Sequence, residues 1–353
     1  MSSCKFSGLK FFTTSALRLL ACGAVALFAA GCVSPERLAD HLVTAPNRQR
    51  QFVSDKEVDS LYHSILGKQN PFLRQTIPVG PPEATLSVME LPAADYHLKV
   101  TSKVVQDKKG GTNFVLMLKA DTNAVTTPLE SKGTIVLLHG YITQKETMLP
   151  WAFVLAQAGW RVVLVDLRGH GHSTGRNFYA GKYEGTDMVQ MLDYLVAHNL
   201  CDAQVGVLGY SFGADLALYW AARDPRVRTV VAIAAYNQPA EAIPRFAKDM
   251  QLPFSQEKVR RAATIAEAKL GIRWSDLSGE NAIRQIKVPL FFIGGQKDII
   301  SPPEDQMLFK KLAPPGSQML LIPEANHEIV GYWMQGLATP VTAWFQERGM
   351  VEK

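Results

Sequence analysis

Short apolar runs recur through the second half of the chain: "TIVLLHG" from Thr134, "RVVLVDL" from Arg161, "QVGVLGY" from Gln204, "VRTVVAIAAY" from Val227, "VPLFFIGG" from Val288 and "SQMLLIPEA" from Ser317. "TIVLLHG" is continuously apolar rather than alternating, as a strand buried on both faces of a parallel sheet requires. Stretches of helical spacing lie between the runs, around "TMLPWAFVLAQAG", around "GTDMVQMLDYLVAHN" and directly after Ser211. Strand–helix alternation of this kind predicts a doubly wound α/β sheet with right-handed crossovers.

One connection is too long for a simple crossover. The segment between Tyr236 and Val288 includes "SQEKVRRAATIAEAKLG" and predicts two helices. An insertion at about 237–287 predicts a cap above the carboxyl edge of the sheet, where such folds hold their ligands. Upstream, "YHLKVTSKVV" and "NFVLMLKA" flank the polar turn "QDKKGGT" and predict a hairpin. Residues 32–95, with "LVTAPNRQRQF", the helical "DKEVDSLYHSIL" and the proline-rich "IPVGPPEA", read as a tether and accessory segment. The main domain is therefore expected over 96–353.

The first residues read differently. Lys5, Lys10 and Arg18 precede "LLACGAVALFAAGC", an apolar run well short of the ~20 residues a spanning helix needs. Positive residues ahead of a short apolar core make residues 1–31 a secretory leader. Ala29, Ala30 and Gly31 before Cys32 resemble a bacterial lipobox, which implies a lipid-carrying Cys32 and a membrane anchor. Val33 in place of aspartate points to the outer membrane, facing the periplasm. The net charge of the 353 residues is +5, but the leader holds three of those charges and no acid, so +2 remains. That balance argues against a nucleic-acid partner. Of the four cysteines, Cys4 and Cys22 leave with the leader and Cys32 is acylated, so Cys201 remains without a disulfide framework.

The chemistry concentrates at Gly209-Tyr210-Ser211-Phe212-Gly213, a G-x-S-x-G turn between a strand and a helix. The glycines permit a sharp turn that raises the Ser211 hydroxyl above the sheet. A serine needs a base within hydrogen-bond reach. Of the eight histidines, His327 in "LIPEANHE" directly follows the last predicted strand. Asp298, after "LFFIGGQK", is the acid that would orient it, with Asp305 and Glu304 as weaker alternatives in the helix that follows. The N–H groups of Phe212 and Tyr141, with Ile142 close behind, are the expected oxyanion donors. Tyr141, Tyr210, Phe246, Met250, Phe254 and Trp274 are candidate pocket-lining side chains. Neither a metal nor an organic cofactor is required.

"LLHGY", "VDLRGHGHS", "GYSFGADLAL", "FFIGGQKDIISPPE" and "ANHE" occur in the order of landmarks in the α/β-hydrolase superfamily, and the chain resembles its esterase and peptidase-like members. Ala214 departs from the second glycine common among them. The resemblance implies an eight-stranded, mainly parallel sheet whose first strands are antiparallel, matching the hairpin above. It makes Asp166, His170 and His172 architectural. The expected activity is hydrolysis of a carboxylic ester, with a small-molecule or acyl substrate, through an acyl-enzyme on Ser211. Thioester, peptide and acyl-transfer chemistry use the same groups. A non-catalytic envelope-binding protein is the alternative of another class.

Overall fold

The apolar runs become neighbouring strands of one eight-stranded sheet in the computed structural model, which describes residues 8–11, 33–48, 72–106, 112–121 and 125–348. Its strands are β1 (Leu73–Val79), β2 (Ala84–Leu91), β3 (Thr134–Leu138), β4 (Arg161–Val165), β5 (Val205–Tyr210), β6 (Val227–Ile233), β7 (Leu290–Gly295) and β8 (Gln318–Ile322). Their spatial order is β1-β2-β4-β3-β5-β6-β7-β8. From β4 to β8 every pair is parallel, whereas β1–β2 and β2–β4 are antiparallel.

Every residue of β3, β5 and β7 is buried. Successive side chains point to opposite faces, so each strand feeds two cores. Val136, Leu138, Val205 and Val207 join one, and Ile135, Leu137 and Leu208 join the other. Full burial of each such side chain contributes about 1.5–3 kcal/mol.

Among the described residues the helices are α1 (Pro35–Val43), α2 (Leu149–Gln157), α3 (Glu184–Ala197), α4 (Phe212–Ala221), α5 (Pro239–Asp249), α6 (Gln256–Leu270), α7 (Gly279–Ile283), α8 (Pro303–Leu312), α9 (His327–Val330) and α10 (Met334–Arg348). Met188 and Leu192 of α3, Leu216 of α4 and Phe309 of α8 enter the first core. Trp151 and Phe153 of α2 and Trp344 and Phe345 of α10 fill the second.

The long insertion does form helices. Ser255 caps α6 by accepting from the N–H of Lys258, and Gly271 ends it in the left-handed conformation. Val259, Ala262, Ala263 and Ala266 make its buried stripe at the three- and four-residue spacing of one helical face.

Two expectations about the N-terminal half are corrected. The antiparallel edge of the main sheet is β1–β2, not the hairpin of Leu98–Gln106 and Thr112–Ala120. That hairpin forms a separate sheet with Gly8–Phe11. A boundary at 95 therefore cuts through the domain. The prolines concealed this, since "IPVGPPEA" reads as a linker. Pro78 lies in β1, the edge strand, where a missing N–H is tolerated. The prolines after Gly80 make the β1–β2 turn. Residues 35–48 are not a free tether either, because α1 packs against α6. Gly8–Phe11 fall inside the expected leader, and its loss would leave the hairpin's own pairing, from Leu98↔Ala120 to Gln106↔Thr112, in place. Cys32 and the helix expected over 55–66 lie outside the described residues.

A chain beginning at Tyr96 lacks both β1 and β2, exposing the hydrogen-bonding edge of β4. It is expected to lose its cooperative thermal transition, while a chain beginning at Val33 keeps it. Calorimetry on the two chains decides the boundary, and equal transitions would restore it to residue 95.

Candidate active site

Strand β5 becomes helix α4 across one residue. Ser211 sits at φ 55°, ψ −124°, outside the regions ordinary side chains favour. Such a conformation costs of order 1–3 kcal/mol and must be enforced by its surroundings. Here the enforcing contacts are backbone. A methyl on Gly209 would meet the Gly213 carbonyl oxygen at 2.2 Å, and one on Gly213 would meet that of Leu138 at 2.2 Å. The Ser211 N–H donates to the Ile233 carbonyl at 2.8 Å, tying the turn to β6.

Two loops at the same sheet edge bring up the partners. Asp298 follows β7, and its Oδ1 accepts the N–H groups of Ile300 and Ser301, both at 2.9 Å. The Ser301 hydroxyl donates to Oδ2 at 2.7 Å. His327 opens α9 after β8, with Asn326 as the helix cap. Its Nδ1 lies 2.8 Å from Asp298 Oδ2, and its Nε2 lies 2.8 Å from Ser211 Oγ. The carboxylate fixes Nδ1–H as donor, so Nε2 accepts from the serine hydroxyl. Three side chains from three separate strand ends thus form one hydrogen-bonded series.

Asp298 and His327 are buried. Burial alone would lower the histidine pKa. The charge and hydrogen bond of Asp298, with further contributions from Asp249 and Glu328, outweigh it and raise the pKa above the ordinary 6.5. Neither alternative acid takes this place. Asp305 accepts from the Asn237 N–H and from Arg245, and Glu304 is exposed on α8. His139 accepts the Leu167 N–H on Nε2, and His170 sits by the Arg168 carbonyl. Burial pushes their pKa values down to about 4 and about 3, so both stay neutral.

The loop after β3 faces the serine: a methyl on Gly140 would lie 3.4 Å from Ser211 Cβ. Ile142 holds φ 56° in that loop. Phe212 is the first residue of α4, so its N–H has no acceptor within the helix, and the positive helix end favours negative charge there. A buried ion cluster anchors the loop from behind. Lys145 Nζ lies 2.5 Å from Asp166 Oδ2 and 3.3 Å from Glu146, while the Lys145 N–H donates to Asp166 Oδ1 at 2.8 Å. Burial would raise the Asp166 pKa, but the His172 hydrogen bond and the Lys145 charge hold it well below the usual carboxylate range. Removing one partner from such a pair typically costs about 3–5 kcal/mol. The sequence marks Asp166 as architectural but singles out neither Lys145 nor Ser301. "QKDIIS" carried a signal for Ser301, since a serine three residues past an acid can fold back onto it.

The proposed pocket residues divide. Tyr141 packs its ring 4.7 Å from Phe178 and 6.1 Å from Phe246, so α5 of the insertion closes over the loop after β3. Phe246 also packs against Tyr236, Ala242 and Ile300, which is two residues beyond Asp298. Met250 is buried at the end of α5. Tyr210 instead lies behind the histidine, donating to the His327 carbonyl at 2.6 Å. The Phe254 ring centroid lies 6.0 Å from Lys258 Nζ, beside α6. Trp274 is core: its indole N–H donates to the Ala263 carbonyl at 3.0 Å and its ring packs in the first core.

A family model described as the alpha/beta hydrolase fold matches residues 133–280, a span that holds Ser211 but stops short of Asp298 and His327. The esterase Pf2001 of Pyrococcus furiosus superposes with a TM-score of 0.56 at 20% identity, over 81% of this chain and 98% of that one. The α/β hydrolase GrgF from Penicillium sp. sh18 gives a TM-score of 0.56 at 16% identity, over 79% and 100%. The chain has the α/β-hydrolase fold. Among curated sequences, Protein bem46 of Schizosaccharomyces pombe is 27% identical over 203 residues, 56% of this chain. That match spans 62% of bem46, under two thirds of its length.

Because its pKa is raised, the His327 imidazolium should persist above pH 6.5. Proton NMR of the ring is expected to titrate above that value, and lower in Asp298→Asn than in the wild type. A midpoint unmoved by the substitution would remove Asp298 as the partner.

Proposed function

We propose that the protein is a serine hydrolase of carboxylic esters, held at the membrane through lipid on Cys32. The observation that carries this reading is the Ser211–His327–Asp298 series at 2.8 Å per link, mounted on a strained turn. Ser211 Oγ attacks the ester carbonyl while His327 Nε2 takes its proton, and the Asp298 carboxylate stabilises the imidazolium. The Phe212 and Tyr141 N–H groups receive the developing oxyanion. As the carbonyl re-forms, His327 passes the proton to the departing alkoxide, which leaves as the alcohol, and the acyl group stays on Ser211. Water, deprotonated by His327, then attacks the acyl-enzyme and releases the acid, restoring the serine.

The apolar surround of Tyr141, Phe178 and Phe246 suits an acyl substrate, and the fold is shared with the Pf2001 esterase. Membrane attachment is supported by the basic leader and the lipobox-like residues before Cys32. That segment also makes a bacterial envelope location, at the outer membrane facing the periplasm, part of the proposal.

Ser211→Ala is expected to lower kcat on p-nitrophenyl esters by at least about 10⁴-fold and to abolish fluorophosphonate labelling, with the melting temperature retained. Full activity in that variant would refute the assignment. Because His327 must be neutral to act as a base, kcat/KM should fall as pH drops through the raised pKa. The acid limb is therefore expected above 6.5, the ordinary histidine value. A pH–rate profile on a soluble ester measures it.

A further inference from the structure

Helix α1 starts close to the proposed lipid site and lies against the cap. Only Val33, itself buried, separates Cys32 from Ser34, whose hydroxyl accepts from the Arg37 N–H and caps the helix. Ala39 is fully buried in the core that holds Ala262 and Ala266 of α6, and Leu38, Leu42 and Val43 pack around it. Glu36 pairs with Arg261 at 3.8 Å, and Asp40 with Lys269.

The chain then crosses from the cap to the floor of the site. The Ala45 N–H donates to the Arg176 carbonyl, the Asn47 N–H to that of Gly169, and the Asn47 side-chain amide to that of Ser173 at 2.6 Å. A methyl on Gly169 would stand 2.6 Å from Ala45 Cβ. This loop carries Phe178, whose ring lies 4.7 Å from Tyr141 and 4.8 Å from Phe212. Residues 33–48 therefore connect both sides of the site, the cap through α6 and the floor through residues 169–178.

We propose that residues 33–48 are a rigid mount that holds the cap against the bilayer, and that the ester is drawn from the membrane rather than from solution. This rests on the acylation of Cys32 and the ester chemistry proposed above. A flexible tether would let the domain turn freely. Two residues reach only about 7 Å, less than the ~10–12 Å width of a helix, so acyl chains inserted at Cys32 keep α1 and α6 beside the headgroups. Arg261 and Lys269 of α6 already pair with Glu36 and Asp40 of α1, which leaves Lys258 and the exposed Arg260 on that helix for the headgroups. Lysine and arginine held beside a lipid anchor are attracted to anionic headgroups.

The test frees the mount without touching the site. A Gly/Ser insert of about twenty residues, reaching about 25 Å, is placed after Val33 in the full chain. It ends in valine, so Ser34 keeps its neighbour. Both proteins are assayed on p-nitrophenyl palmitate in phosphatidylcholine–phosphatidylglycerol vesicles and on p-nitrophenyl butyrate in water. Acylation of each is checked by mass spectrometry. The insert is expected to lower the vesicle rate at least about fivefold, by diluting the enforced geometry, and to leave the butyrate rate unchanged. Equal vesicle rates in two acylated proteins would overturn the mount, as would an equal fall in both rates. Absence of acyl chains from the parent would overturn the Cys32 reading and this inference with it. A parent that is acylated but cleaves neither ester would overturn the ester chemistry and the inference together.

Discussion

Strand β5 must turn into helix α4 within a single residue, and much of the molecule is arranged around that constraint. Ser211 at φ 55° is unfavourable by itself and is held by packing on both sides. Gly209 lies against the backbone of Gly213, and Gly213 against that of Leu138 in β3. The strain is supported by the sheet, whose central strands are buried from end to end. A looser sheet would let the turn relax and lower the hydroxyl. Stability of the core and placement of the serine are thus one requirement.

The partners of Ser211 are positioned by loops that are themselves fastened. Asp298 is wrapped by two N–H groups and the Ser301 hydroxyl, leaving Oδ2 aimed at the histidine. Close contact between the end of β7 and the loop after β8 draws the acid and histidine loops together: a methyl on Gly295 would meet the Ala325 carbonyl oxygen at 2.3 Å. Behind the Gly140–Ile142 loop, the buried Lys145–Asp166 pair plays the same part. A buried ion pair is an expensive fastener compared with apolar packing. Its geometry is specific, and here it fixes the backbone of a loop rather than a volume.

The helical segment between β6 and β7 is joined to the body at both ends. The Tyr236 N–H donates to Asp215 at 3.1 Å and the Asn237 N–H to Asp305 at 3.3 Å, while the Gly279 N–H returns to the Asn237 carbonyl. Burial raises the Asp215 pKa well above the usual carboxylate range. The N-terminal segment 33–48 adds a third attachment by spanning α6 and the loop after β4. Substrate selection, in the reading proposed here, belongs to this fastened unit and to where it stands relative to the membrane.

Local pattern was enough for the parallel half of the sheet. Continuous apolar runs have one stable home, a strand covered on both faces, and a G-x-S-x-G turn between strand and helix has one economical geometry. Ser211, His327 and Asp298 were therefore legible as strand-end residues in a fixed order. What the sequence left open depends on distance in space. The β1–β2 edge was hidden because prolines that mark a linker in isolation are harmless on an edge strand, and only pairing with β4 reveals it. Trp274 read as a pocket residue because an aromatic in a cap looks the same whether it faces ligand or core. Its hydrogen bond to the Ala263 carbonyl decides that. Ser301 and Lys145 gained their parts from folding alone, since each acts through a carboxylate that the backbone must first bring within about 3 Å.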